Sequence, residues 1–94
     1  MPPTWQAHVD TFRAAEAALR EQPNPERVRG IARQWKALFE ADSGGDAEVK
    51  AGLEKCWTNR RSWSPVVRWM EEAVHMMDGH RFDCVADFLD AAAA

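Results

Sequence analysis

The chain has 94 residues, 46% of them hydrophobic and 29% charged, with a formal net charge of -3. That suffices for one domain spanning residues 1–94 and is too short for two. No apolar run approaches the roughly 18 residues of a membrane span, and the acidic balance disfavours direct nucleic-acid contact, which phosphate pairing dominates. The opening Met1-Pro2-Pro3-Thr4-Trp5 has no basic segment leading into an apolar stretch, so no secretory leader is expected. The expected compartment is the cytoplasm, with Cys56 and Cys84 as free thiols.

The apolar spacing is helical from end to end. Trp5, Val9, Phe12, Ala15 and Leu19 recur at steps of three and four and predict one buried face of a first helix, with Thr4 as its cap. Gln22-Pro23-Asn24-Pro25 ends it, because the residue before a proline resists helical geometry. Asn24 followed by Pro25 then reads as an N-cap with proline in the first helical position. The second helix carries Val28, Ile31, Ala32, Trp35, Leu38 and Phe39, the clearest amphipathic pattern in the chain, and stops at Asp42-Ser43-Gly44-Gly45.

Asp46 caps a third helix with Val49, Leu53, Cys56 and Trp57 on its apolar side, which predicts Cys56 as a buried thiol. Thr58 to Trp63 shows no period and reads as a loop. Ser64-Pro65 repeats the cap-and-proline signature and opens a fourth helix. Its main stripe is Val66, Met70, Ala73 and Met77, with Trp69 and Met76 off it. Gly79 suits the left-handed position after that helix. A short last helix uses Phe82, Val85, Ala86 and Leu89, and Ala91 to Ala94 are expected to fray. The predicted architecture is an all-α bundle of four to five helices.

No catalytic or metal-binding pattern emerges, so neither an enzyme nor a cofactor or metal site is expected. His75, His80 and Cys84 lie close in sequence but match no zinc spacing, and the histidines read as surface residues on either side of a turn. Cys84 and His80 are four apart with no oxyanion-stabilising loop beside them. Basic residues gather in the middle (Arg60, Arg61 and Arg68 among them) and Asp83, Asp87 and Asp90 near the end. The two groups read as solvated faces that attract each other within the fold.

Five tryptophans without a tyrosine are unusual for so small a chain. Trp35, Phe39, Trp57, Trp63, Trp69, Met70 and Met77 are the candidate ligand-binding residues, since aromatic and methionine side chains suit adaptable apolar pockets between helices. Trp57, Trp63 and Trp69 stand equally as ligand surface or as core. Arg60, Arg61 or Arg68 would meet polar ligand groups at the rim.

The stretch Ile31-Ala32-Arg33-Gln34-Trp35-Lys36-Ala37-Leu38-Phe39, followed by Ser43-Gly44-Gly45-Asp46, resembles the TipAS antibiotic-recognition domain, in which an Ala-Arg-x-Trp helix and an apolar pair precede a Gly-Gly-Asp turn. The resemblance is best over residues 4 to 57. It implies a globin-like helical fold and recognition of amphipathic, often peptide-derived compounds in a cleft between helices. It further implies the C-terminal effector-binding domain of a MerR-type transcription activator, touching DNA only through a separate domain, or a stand-alone protein that sequesters antibiotics such as thiopeptides or albicidin. Some thiopeptide-binding members carry a cysteine near this turn, and Asp42 to Asp46 contains none. The alternative reading is a helical protein–protein interaction module whose apolar groove takes a partner helix.

Overall fold

Five α-helices and one short 3-10 turn make up the computed structural model, which describes residues 4–94. Helix α1 spans Thr4–Glu21, α2 Pro25–Ser43, α3 Ala47–Thr58, α4 Pro65–His75 and α5 Gly79–Ala93, with the 3-10 turn at Arg60–Ser62. There is no strand among the described residues. None of their helices is long and apolar enough to cross a membrane.

Local chemistry sets most of these boundaries. Asn24 Oδ1 accepts the Arg27 N–H at 2.8 Å ahead of Pro25, and Ser64 Oγ accepts the Val67 N–H at 3.3 Å ahead of Pro65. Asp46 Oδ1 accepts the N–H groups of Glu48 and Val49 at 2.9 and 3.1 Å. Each such cap satisfies a donor the helix cannot and is worth about 1 kcal/mol. The expected Thr4 cap lies outside the described side chains. Helix α2 ends on Gly44 in the left-handed region, at φ 61°.

The fourth helix ends differently from expectation. Met76 takes the left-handed position directly after α4, at φ 53°, while Gly79, left-handed as expected at φ 59°, opens α5. The early reversal turns Met77 inward, where it joins the core. The Gly79 N–H then donates to Glu72 Oε2 at 2.6 Å, because Asp78 makes no side-chain cap of its own.

The core gathers around Phe12 of α1, with Phe82, Val85, Ala86 and Leu89 of α5 and Ile31, Trp35 and Leu38 of α2. Phe12, Phe82 and Leu89 are wholly enclosed, and each contributes roughly 2–3 kcal/mol by leaving water. Helix α1 packs on α2, α4 and α5, and α2 also packs on α3 and α5. The buried face of α1 is Val9, Phe12, Ala15 and Ala18, so Leu19 and Trp5 are exposed, contrary to the predicted stripe. Ala15 and Ala18 let the neighbouring helices approach closely, and Leu19 stands one residue round the helix from that contact. Helix α5 is longer than expected. It continues to Ala93, which packs against the core instead of fraying.

Helix α3 packs mainly on α2 and the 3-10 turn, and buries little besides Trp57. Val49 and Cys56 are therefore exposed, which corrects the prediction of a buried thiol. The segment predicted as a loop is mostly helical, with α3 reaching Thr58 and the 3-10 turn following it.

The largest correction concerns α4. Its predicted stripe faces solvent: Val66, Met70 and Ala73 are exposed, and only Met77, beyond the helix end, is buried. The side that meets the body carries Arg68, Glu71, Glu72 and His75. His75, predicted at the surface, is 2% exposed. Arg68, Glu72 and His75 each find a polar partner on this inner face, and no buried side-chain nitrogen or oxygen among the described residues lacks one.

The basic middle and acidic end do attract each other, but not as solvated faces. Arg60 is buried, donating to Asp90 Oδ2 at 2.6 Å, Asp87 Oδ1 at 2.7 Å and the Trp57 carbonyl at 3.2 Å. Arg68 donates to Asp83 Oδ1 at 2.8 Å and to the Gly79 carbonyl at 3.1 Å, with its guanidinium over the Phe82 ring. That pairing raises Arg68 above its ordinary pKa and lowers Asp83 below its own. These forks tie the 3-10 turn and α4 to α5.

Candidate functional site

Two cavities share one aromatic wall. The inner one, of about 100 Å³, is bounded by Trp35, Phe39, Trp57 and Trp63 together with His8, Asp42, Leu53, Cys56, Glu71 and His75. The outer cleft, of about 340 Å³, runs along Trp35, Phe39 and Trp57 and is also lined by Lys36, Lys50, Glu54 and Asp90.

The wall is rigid. Trp35 meets Phe39 edge to face at 5.1 Å between centroids and Trp57 at 4.9 Å, and Trp57 meets Trp63 at 5.8 Å. Such pairs add about 0.5–1.5 kcal/mol each beyond the area they bury. Both outer indoles are pinned by their N–H groups. Trp57 Nε1 donates to Asp90 Oδ1 at 2.9 Å, and Trp63 Nε1 donates to the Cys56 carbonyl at 3.0 Å. The guanidinium of Arg60 lies over the Trp57 ring. Asp90 thus anchors both Trp57 and Arg60.

The polar side of the inner cavity is a hydrogen-bonded chain drawn from three helices. His75 Nδ1 donates to the Glu71 carbonyl at 2.7 Å, one turn back on α4. Its Nε2 is then free to accept from Nδ1 of His8, 3.1 Å away on α1. Nε2 of His8 faces Asp42 Oδ2 of α2 at 2.8 Å. A carbonyl can only accept, so these tautomers follow from the partners. With His75 neutral, both contacts of His8 are hydrogen bonds when each of its ring nitrogens carries a proton or Asp42 carries one; with both His75 nitrogens protonated, His8 Nδ1 accepts and its Nε2–H donates to Asp42.

Burial, with the Phe12 ring stacked at 4.1 Å, pushes His75 down from 6.5 to about 4. The bond to the Glu71 carbonyl opposes that shift. Burial also pushes the Glu71 carboxyl above its ordinary value, against the pull of His8. Two carboxyl groups and no lysine or arginine line the inner cavity.

Four of the predicted site residues, Trp35, Phe39, Trp57 and Trp63, come together here. Trp69 and Met77 line a separate groove with Met76, and Met70 stands on the outward face of α4. The cations at the outer cleft are Lys36 and Lys50. Arg60 and Arg68, expected at a ligand rim, are instead committed to α5. Sequence reasoning missed His8, Asp42, Glu71 and His75. The one available signal was that His75 lies one turn after Glu71, and nothing local shows that this side of α4 points inward.

Cys84 Sγ and His80 Nε2 lie 3.3 Å apart on the exposed side of α5. Among the described residues, no group of three or more His, Cys, Asp or Glu side chains has an arrangement that could hold a metal ion. No protein family, curated protein or solved structure matches the chain.

Proposed function

We propose that this domain recognises an amphipathic small molecule or peptide-derived compound, in the manner its TipAS-like segment implies, with a globin-like arrangement of its helices. It would act as the effector-binding part of a MerR-type activator or as a protein that sequesters an antibiotic. The observation that carries this reading is the shared wall of Trp35, Phe39 and Trp57 between an acid-lined inner cavity and an open outer cleft. The volume of the outer cleft falls within the roughly 300–1,000 Å³ typical of small-molecule sites.

The apolar body of the ligand lies along the wall, where flat rings supply contact area at little entropic cost. Its polar groups meet Lys36 and Lys50 or Glu54 and Asp90 at the rim. A positively charged end suits the inner cavity, whose aromatic faces attract cations and whose ionisable lining includes Asp42 and Glu71.

The test is a titration of thiopeptides, albicidin-like compounds and amphipathic drugs matched in pairs with cationic and neutral ends. It is followed by tryptophan fluorescence and melting temperature. Binders are expected to raise the melting temperature, and Phe39→Ala and Trp63→Ala to weaken them about tenfold, near 1.4 kcal/mol. Trp69→Ala, remote from both cavities, should leave affinity unchanged. Absence of binding across the panel, or affinity indifferent to Phe39 and Trp63, would refute the proposal.

A further inference from the structure

The outward face of α4 inverts the usual arrangement of an amphipathic helix. Val66, Trp69, Met70 and Met76 are 66%, 67%, 54% and 61% exposed, with Val67, Ala73 and Val74 exposed beside them. At about 100° per residue the side chains from Val66 to Val74 form one continuous arc, and Met76 follows just beyond the helix end. Arg68, Glu71, Glu72 and His75 all fall on the opposite side. We propose that this arc is the interface of a twofold dimer with a second copy of the chain, the two α4 helices lying antiparallel.

Area, charge and shape support that occupant. The apolar surface left in water on this arc is on the order of 500 Å², toward the upper end for the largest patch on a monomer. Two such faces closing on each other bury at most about 1,000 Å², the size of a weak, reversible interface. A twofold contact sets a surface against itself, so any net charge on it would meet its like. This arc carries no charged side chain between Val66 and Val74.

Its shape is also self-complementary. With the axis between Met70 and Ala73, both near the middle of the arc, Met70 lies beside the small Ala73 of the copy. Ala73 allows the helix axes to approach to about 8–10 Å. The opposed helix dipoles favour the antiparallel orientation.

Sedimentation velocity and light scattering over the micromolar range test the proposal. The mass is expected to pass from one chain to two as concentration rises. Trp69→Glu and Ala73→Glu each place like charges near the axis and should weaken the dimer at least tenfold. Their circular dichroism should match the parent, because both side chains are exposed. A single-chain mass at every concentration, or a dimer unaffected by both glutamates, overturns the proposal.

Discussion

Acidification should destabilise the protein through His75, and the size of the effect follows from its surroundings. Its neighbours are His8 from α1, Asp42 from α2 and Glu71 from its own helix. Burial holds its folded pKa at about 4, against 6.5 when unfolded. Below the unfolded value the open chain takes up a proton that the folded chain refuses, so stability is lost as the pH falls from 6.5 to about 4. At about 1.4 kcal/mol per pH unit for one proton, the full interval costs about 3 kcal/mol. For a domain of this size that is a fall in melting temperature of roughly 15 °C.

Glu71 acts in the opposite sense. Its folded pKa is raised, so its contribution is complete at low pH and fades as the pH rises through that value. The two effects overlap, and a variant has to separate them. Urea unfolding at a series of pH values, in the parent and in His75→Gln, isolates the histidine. The variant loses stability outright at neutral pH, because Gln fits the site less well, but its slope below pH 6.5 should be shallower by nearly one proton. Equal slopes in the two proteins would refute the claim that burial keeps His75 neutral.

Two further predictions concern the frame around the site. Arg60→Ala removes the fork between the 3-10 turn and α5. It should cost about 2 kcal/mol by chemical denaturation, below the value for a fully buried pair because Asp87 and Asp90 keep part of their hydration. Arg60→Lys should recover only part of that, since an ammonium cannot span both carboxylates as the guanidinium does. Met76→Gly should raise the stability of the single chain by about 1 kcal/mol in a melting scan at low concentration. Met76 holds φ 53°, which costs a side chain and is free for glycine. A lowered melting temperature would show that Met76 contributes packing that outweighs the strain.

Much of this fold was legible residue by residue. Asn24-Pro25, Asp46 and Ser64-Pro65 marked three helix starts correctly, because a cap is a bond between neighbours only two or three positions apart. The period of α2 located Ile31, Trp35 and Leu38 in the core, and that of α5 located Phe82, Val85 and Leu89. Trp35, Phe39, Trp57 and Trp63 were singled out by residue type, and they meet around one cavity. The reading of α4 failed for a definable reason. Its pattern names an apolar face, and the bundle turned the other face inward, where Arg68, Glu72 and His75 each find a polar partner.

By itself, then, the sequence determined which segments are helical, where most of them start, and which sides of α2 and α5 are buried. These depend on bonds and periodicities within a few residues. Only the tertiary structure decided that His8 reaches Asp42 and His75, 34 and 67 residues away, that Arg60 is buried, and that α4 shows its apolar side to water. An amphipathic pattern records that one face prefers to leave water, and it carries no information about what will cover that face.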